Sequence, residues 1–366
     1  MGILRLLISF AVLFGHYKGV LLGLSVVPFV ATWLPYLFAG TMHGAIKING
    51  FFLISGFYTQ LMIDEKYQEL KPLIGTAKTT LLFYYSRVIR LLPCFYAVMA
   101  VAAAFVFIVQ MPEQEALLQK HFMANFFFSN DLIFSLTAPL DDDVVISPYY
   151  LPAMWALTVE MVFVLLAPLF LFTRKGRWLF FGLSLGLAIA RFMHGEVLRT
   201  FVPASLIYFS VGSFLYRFYA RYLKSKPVYV WQAVLAYVFV AVLMAYICMF
   251  GAMVDSFGTM AAYFVFIGVF AAFLPYIAAY TRELHYDRWI GQLAYPIYLV
   301  HPVCIEVARK YGALDQPFYI LIVPVIFALL WVVWVDQPLN VYREKILKSV
   351  KMKALETEAT GFAGGK

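Results

Sequence analysis

Residues 2–24 have the sequence GILRLLISFAVLFGHYKGVLLGL, an apolar run that contains only a few polar side chains. About twenty such residues in an α-helix are long enough to cross the hydrocarbon core of a bilayer. Arg5 and His16 are separated by about three helical turns, so both side chains lie on one helix face about 16 Å apart. The stretch therefore predicts a membrane-spanning helix with a cation near one surface and an imidazole near the middle of the bilayer.

The composition of the whole chain is that of a membrane protein. Of its 366 residues, 63% are hydrophobic and 13% are charged, and the mean hydropathy is +0.82. A soluble domain does not need so much apolar surface. The net charge of +8 is therefore more informative about membrane orientation than about nucleic acid. The three cysteines have no paired spacing and predict neither a disulfide framework nor a metal site.

Windows of about twenty apolar residues predict ten membrane spans. Two prolines interrupt the apolar segment 25–43, which we interpret as an interfacial or re-entrant connection. The expected fold is an all-α, polytopic membrane helix bundle of about ten transmembrane helices. The predicted spans lie near residues 3–24, 44–63, 88–110, 150–172, 177–193, 200–216, 228–250, 258–279, 290–308 and 317–336.

The distribution of basic residues predicts the orientation of the chain. With a cytoplasmic N-terminus, every inner connection carries lysine or arginine, whereas the outer connections include the acidic run 141–143. This is the arrangement that the positive-inside rule favours, and it places both termini in the cytoplasm. Residues 1–347 are expected to form the membrane domain. Residues 348–366, in which charged and small residues alternate, are expected to form a disordered cytoplasmic tail.

Glu160 and His301 lie deep inside two further predicted spans. Each is about 15 to 16 Å from the start of its span, a depth similar to that of His16. Ionisable groups in hydrocarbon are costly and usually face a bundle interior or a wet cavity. The three residues therefore predict one polar site, in which a carboxylate can orient an imidazole. An ion pair between Glu160 and an arginine, and a packing role for His16, are the alternatives.

Arg87 and Arg90 stand at the cytoplasmic end of the predicted third span. Residues three apart on a helix project from neighbouring faces, so these guanidinium groups can clamp an anion such as a phosphate. Anchoring to lipid phosphates is the alternative. Together with Arg5 they predict three cations at one depth, which is what a nucleotide-bearing donor needs.

These residues resemble the acyltransferase 3 family of bacterial integral-membrane O-acyltransferases. The spacing of Arg5 and His16 is similar to the Arg-x10-His feature of that family, and Arg87 and Arg90 resemble its Arg-x-x-Arg feature. Four further stretches resemble family patterns in the expected order, so the resemblance covers nearly the whole chain. They are FFLISGF at residues 51–57, WALTVE at 155–160, YPIYLVH at 295–301 and DQP at 336–338.

The resemblance implies transfer of an acyl group, most often acetyl, from cytoplasmic acetyl-CoA or another acyl-CoA. The acceptor would be a hydroxyl of an exopolysaccharide, a lipopolysaccharide or another envelope glycan at the bacterial inner membrane. In this interpretation Arg5, Arg87 and Arg90 bind the phosphates of the donor. The expected partners are the acyl-CoA, a lipid-linked or exported saccharide, and membrane lipid. No metal and no nucleic acid are expected, and the sequence leaves the oligomeric state open.

The same resemblance implies roles for the three deep titratable residues. His16 is the general base on the acceptor hydroxyl, or it accepts the acyl group itself and passes it on. Glu160 orients or charge-balances the site, and His301 assists proton transfer or binds the acceptor. A proton-coupled transporter of a glycan or lipid precursor is the alternative function, with the three residues as a proton relay. The absence of an inverted repeat and the paired arginines favour the enzyme.

Overall fold

The computed structural model describes residues 1–16, 45–109, 154–193, 202–238 except 228, 233 and 236, 256–313 and 318–363, in part as backbone alone. All regular structure in these ranges is helical, which confirms the all-α prediction for the described part of the chain. The described α-helices are α1 (Gly2–His16), α2 (Ala45–Met62), α3 (Gln68–Ile74), α4 (Thr76–Val109), α5 (Met154–Leu171), α6 (Arg174–Met193), α7 (Leu206–Tyr222), α8 (Ser256–Thr281), α9 (His285–Lys310), α10 (Val323–Trp331) and α11 (Gln337–Ala363). Single π-helical turns, at Ile63–Tyr67, Phe318–Ile322 and Val332–Asp336, continue α2 into α3, lead into α10, and join α10 to α11.

Nine of the ten predicted spans overlap a described helix. The remaining span, 228–250, lies largely outside the described residues, and the proline-containing segment 25–43 lies entirely outside them. By length and composition, three helical stretches of the described chain can cross a membrane: Thr76–Val109, His285–Lys310 and Tyr319–Thr357. The number ten and the cytoplasmic position of both termini stay predictions.

Helices α2 and α7 approach each other through two glycines. A Cβ atom on Gly56 would lie 2.1 Å from the carbonyl oxygen of Phe209, and one on Gly212 would lie 2.1 Å from the carbonyl oxygen of Leu53. Small residues allow membrane helices to pack backbone against backbone. Beside this contact the ring of Phe209 stacks on a phenylalanine of α2 at a centroid distance of 4.7 Å. Gly56 is therefore a packing residue at the contact between α2 and α7.

Helix α1 is fixed at its N-terminus by α9. The Asp287 carboxylate accepts hydrogen bonds from the backbone N–H groups of Gly2 at 2.6 Å and Ile3 at 2.9 Å. The first N–H groups of a helix have no partner within the helix, and a negative charge is favourable beside them. A Cβ atom on Gly291 would lie 2.6 Å from the Cα atom of Gly2, so the two backbones are in contact. The register of α1 against α9 follows from these contacts.

The last helix differs from the predicted disordered tail. Helix α11 continues to Ala363, so residues 348–363 are helical in the structure, and the prediction of disorder is wrong for them. Leu347 is buried, and Lys351 forms an ion pair with Glu69 of α3 at 2.7 Å. Lysine, glutamate, leucine and alanine, which all occur in this tail, have high helix propensity. The composition of the tail is therefore compatible with a helix. The domain boundary at residue 347 stays a prediction.

A Gly56→Ala substitution is expected to destabilise the protein by about 1–3 kcal/mol, because the added methyl group must push the α7 backbone away. The effect is measured as the unfolding temperature of the purified protein in detergent, with size-exclusion chromatography of heated samples as the readout. Gly182→Ala in α6 is the matched control, since a Cβ atom there has nothing within 4 Å. Equal unfolding temperatures for the two variants would contradict the close packing of α2 and α7.

Candidate active site

A cavity of about 70 Å³ lies between α1, α2, α4, α5 and α9. It gathers residues that are far apart in the sequence, including the three arginines predicted to bind phosphate and one carboxylate. The charged and polar lining residues are Arg5, Ser55, Tyr58, Arg87, Arg90, Glu160, Tyr295 and Tyr298. The apolar ones are Ile48, Phe51, Phe52, Ile54, Ala156, Leu157 and Ala294.

Arg5 reaches this cavity because of how α1 is attached to α9. One turn beyond Arg5, the Ser9 hydroxyl donates a hydrogen bond to the carbonyl oxygen of Ala294 at 2.8 Å. This bond and the capping carboxylate of Asp287 fix the face of α1 that points inward. The guanidinium group of Arg5 is then close enough to Glu160 to be attracted by it, and close enough to Arg90 to be repelled.

Helix α4 contributes two arginines with different surroundings. The Nη2 atom of Arg87 donates to the Thr59 hydroxyl at 3.0 Å, and its guanidinium lies 5.2 Å from the ring centroid of Phe83. Arg87 is only 3% exposed, whereas Arg90, one turn further along, is half-buried. Two neutral groups, the Thr59 hydroxyl and the Phe83 ring, thus hold the Arg87 side chain in place, whereas the Arg90 side chain is more accessible.

The structure brings these arginines closer to Glu160 than the sequence predicts. Helix α4 begins at Thr76 and not near residue 88, so Arg87 lies about 16 Å along the helix from its start. The predicted separation between surface arginines and a deep carboxylate therefore does not hold, since Glu160 lines the same cavity. The hydrophobic window missed the first part of α4 because its residues are more polar.

Glu160 is hydrogen-bonded within the cavity. Its Oε1 atom accepts a hydrogen bond from the Ser55 hydroxyl at 2.9 Å. Among the residues whose side chains the structure describes, no arginine or lysine nitrogen lies within 4 Å of this carboxylate, but its charge attracts Arg5 and Arg87. The carboxylate is thus held by one neutral donor and faces cations without direct contact.

Two tyrosines from α9 complete the described wall. The Tyr295 hydroxyl donates to the carbonyl oxygen of Leu91 at 2.8 Å and so links α9 to α4 beside Arg90. The Tyr298 ring meets Phe51 of α2 edge to face, with centroids 6.0 Å apart. In the sequence these tyrosines contribute only to the family resemblance. A tyrosine in an apolar span needs a hydrogen-bond partner for its hydroxyl. The two tyrosines were therefore the sequence signal for a polar site beside this span.

The structure does not place His301 on the cavity. Its side chain is buried, and Nδ1 lies 2.6 Å from the carbonyl oxygen of Tyr298, one turn earlier on α9. His301 therefore lies next to a wall residue and not among the lining residues. The backbone of His16 ends α1, about 16 Å along the axis from Arg5, but its side chain lies outside the described part of the chain. The contacts of His16 stay a prediction.

Comparison with protein families assigns most of the chain. The acyltransferase 3 family model, which describes an acyltransferase domain, matches residues 1–335. No curated protein and no solved structure matches the chain. The matched range contains every residue that lines the cavity and both histidines of the predicted site. On the strength of a match over most of its length, this membrane protein belongs to the acyltransferase 3 family.

Proposed function

We propose that the protein transfers an acyl group, acetyl in the first instance, from cytoplasmic acyl-CoA to a hydroxyl of an exopolysaccharide, lipopolysaccharide or other envelope glycan. Its place is the bacterial inner membrane, which it crosses several times with both termini in the cytoplasm. Family membership supports acyl transfer. The observation that carries the proposal is the cavity that collects Arg5, Arg87 and Arg90 around Glu160.

The charge of the cavity favours an anionic ligand. Its lining side chains include three guanidinium groups and one carboxylate, which leaves an excess of two positive charges. Uncompensated charge inside a protein is costly, and the guanidinium group matches phosphate through paired hydrogen bonds. An acyl-CoA carries phosphates at one end and its thioester at the other. The phosphates therefore bind at the arginines, and the flexible arm between the two ends carries the thioester away from them.

Helix α1 sets the direction of that arm, because it runs from Arg5 to His16. In direct transfer, His16 takes the proton of the acceptor hydroxyl, and the oxygen attacks the thioester carbonyl. The carbon–sulfur bond breaks, the CoA thiolate leaves, and the histidine returns the proton to it. In the two-step route, an imidazole nitrogen of His16 attacks the thioester carbonyl, the carbon–sulfur bond breaks, and the CoA thiolate leaves with the proton of the other ring nitrogen. The acceptor hydroxyl then attacks the acyl carbonyl, the carbon–nitrogen bond breaks, and the hydroxyl proton returns to the imidazole. In both routes Glu160 balances the arginines, and His301 assists proton transfer or binds the acceptor.

His16→Ala is expected to lower the rate of acyl transfer or donor hydrolysis by about 100-fold or more, because a general base contributes that much. Purified protein in detergent with radiolabelled acetyl-CoA provides the measurement. His285→Ala is the control, since this histidine is exposed at the start of α9. Full turnover by His16→Ala would refute its catalytic role, and a wild-type protein that moves substrate without consuming donor would favour the transporter.

Arg90→Ala is expected to raise the KM for acyl-CoA about 10- to 100-fold, as loss of hydrogen bonds to a charged group does, and to change kcat less. Arg90→Lys should recover only part of the loss, because an ammonium group cannot bind phosphate bidentately. Steady-state kinetics with varied donor concentration separate the two constants. Arg288→Ala, at an exposed position of α9, is the control. An unchanged KM in Arg90→Ala would argue against phosphate binding in the cavity.

Deletion of the gene is expected to remove O-acyl groups from an envelope glycan. Proton NMR of glycans from the deletion strain and its parent detects the missing O-acetyl signals directly. Complementation with the wild-type gene should restore them, whereas complementation with the His16→Ala variant should not. Identical spectra from both strains would rule out a glycan acceptor under the conditions of growth.

A further inference from the structure

The last helix brings a fourth guanidinium group to the arginines of α4. Arg343 of α11 repels both Arg87 and Arg90 electrostatically, and its side chain is only 12% exposed. It does not line the described cavity, and it lies beyond the residues 1–335 that the family model matches. Neither the sequence patterns nor the family assigns it a role.

Glu344, the carboxylate that pairs with Arg343, only partly compensates its charge. Its Nη2 atom lies 3.7 Å from Glu344 Oε1, but Lys66 binds the same oxygen at 2.5 Å. The Nε atoms of Arg343 and of Arg87 are buried, and neither has a hydrogen-bond acceptor among the described residues. Buried donors without acceptors are costly, and so are like charges held close together. This part of the described structure thus has an excess of positive charge and unpaired N–H donors that an anion could compensate.

Tyr67 and Ser86 provide hydroxyl groups at the same place. Tyr67 is fully buried in the π-helical turn that follows α2, and its hydroxyl faces the hydroxyl of Ser86. Tyr67 interacts electrostatically with both Arg87 and Arg343, so it lies near both guanidinium groups. Its ring is held edge to face against Phe83, with centroids 5.5 Å apart. Guanidinium and hydroxyl groups together form the usual donor set for phosphate.

We infer that Arg343 binds a second phosphate group of the donor, next to the phosphate bound by Arg5 and Arg90. This inference rests on the proposed function and makes it more specific. Free acyl-CoA has several phosphate groups, so one can bind to Arg343 while another binds to Arg5 and Arg90. A thioester on a carrier protein has a single phosphodiester, which can bind at only one of these two places. Arg343 is thus a specificity-determining residue for the donor.

The test compares ligands that differ in their phosphates. The affinities of CoA, dephospho-CoA and 4′-phosphopantetheine are measured by titration calorimetry on the full chain in phosphatidylcholine nanodiscs. Arg343→Ala is expected to weaken CoA binding about tenfold or more, and to change phosphopantetheine binding less than about twofold. Arg343→Lys should lie between wild type and Arg343→Ala. Lys345→Ala is the control, because Lys345 is exposed on the same helix.

The stability of the ligand-free protein separates a binding role from a structural one. Because Arg343 repels Arg87 and Arg90, Arg343→Ala should unfold at the wild-type temperature or above it when no donor is present. A lower unfolding temperature together with equal weakening of all three ligands would overturn the inference. Arg343→Gln, which keeps most of the side-chain volume, repeats the comparison if the alanine variant does not fold.

Three further outcomes distinguish a lipid phosphate from a donor phosphate, and the inference about Arg343 from the proposed function. Anionic phosphatidylglycerol in the nanodiscs supplies lipid phosphate. If Arg343→Ala abolishes only the stabilisation by this lipid, and CoA affinity is unchanged, the site binds a lipid headgroup and the inference is wrong. If wild type binds CoA and Arg343→Ala binds all three ligands as wild type does, the inference is wrong while the proposed function stands. If wild type binds none of the three ligands, the proposed donor itself is refuted.

Discussion

Repulsion between arginines inside the helix bundle is the constraint on which the rest of the site depends. Arg5, Arg87 and Arg90 share one small cavity, and Glu160 is the only carboxylate among its described lining residues. Packing of the surrounding helices must oppose this repulsion in the absence of ligand. An anion that binds only the folded protein relieves it and stabilises the fold by mass action. The cavity is therefore suited to an anion, and in the proposed function this anion is the phosphate-bearing donor.

The helix contacts around the cavity explain how these charges are held. Glycine pairs bring α1 against α9 and α2 against α7 with their backbones in contact, so the helices have little freedom to slide. Asp287 and Ser9 fix α1 by hydrogen bonds to backbone groups, and Thr59 fixes Arg87 by a neutral one. Neutral partners position a guanidinium group without cancelling its charge. The charge then remains available to a substrate.

The sequence predicted the helical fold and identified four ionisable residues of the cavity, Arg5, Arg87, Arg90 and Glu160, but it did not predict that they share one cavity. Ionisable groups in apolar runs are detectable by their cost alone, which is why Arg5 and Glu160 were identified. The start of α4 could not be predicted because a hydrophobic window reports the apolar part of a helix, and α4 begins earlier with polar residues. The contact between Ser55 and Glu160 joins two helices, and spacing within one helix contains no such information. Arg343 was missed because it stands among other charged residues of α11, where its burial has no sequence signal.

A structure of the full protein with a non-reactive thioether analogue of acetyl-CoA, determined by electron cryo-microscopy in nanodiscs, tests the central claim most directly. The account predicts phosphate groups within hydrogen-bond distance of Arg5, Arg87 and Arg90, and the acyl end directed along α1 toward His16. The chain offers another basic site, a groove of about 850 Å³ lined by Lys78 and Lys353 where α4 meets α11. Phosphates bound in that groove, with the arginines of the cavity free of ligand, would contradict the account.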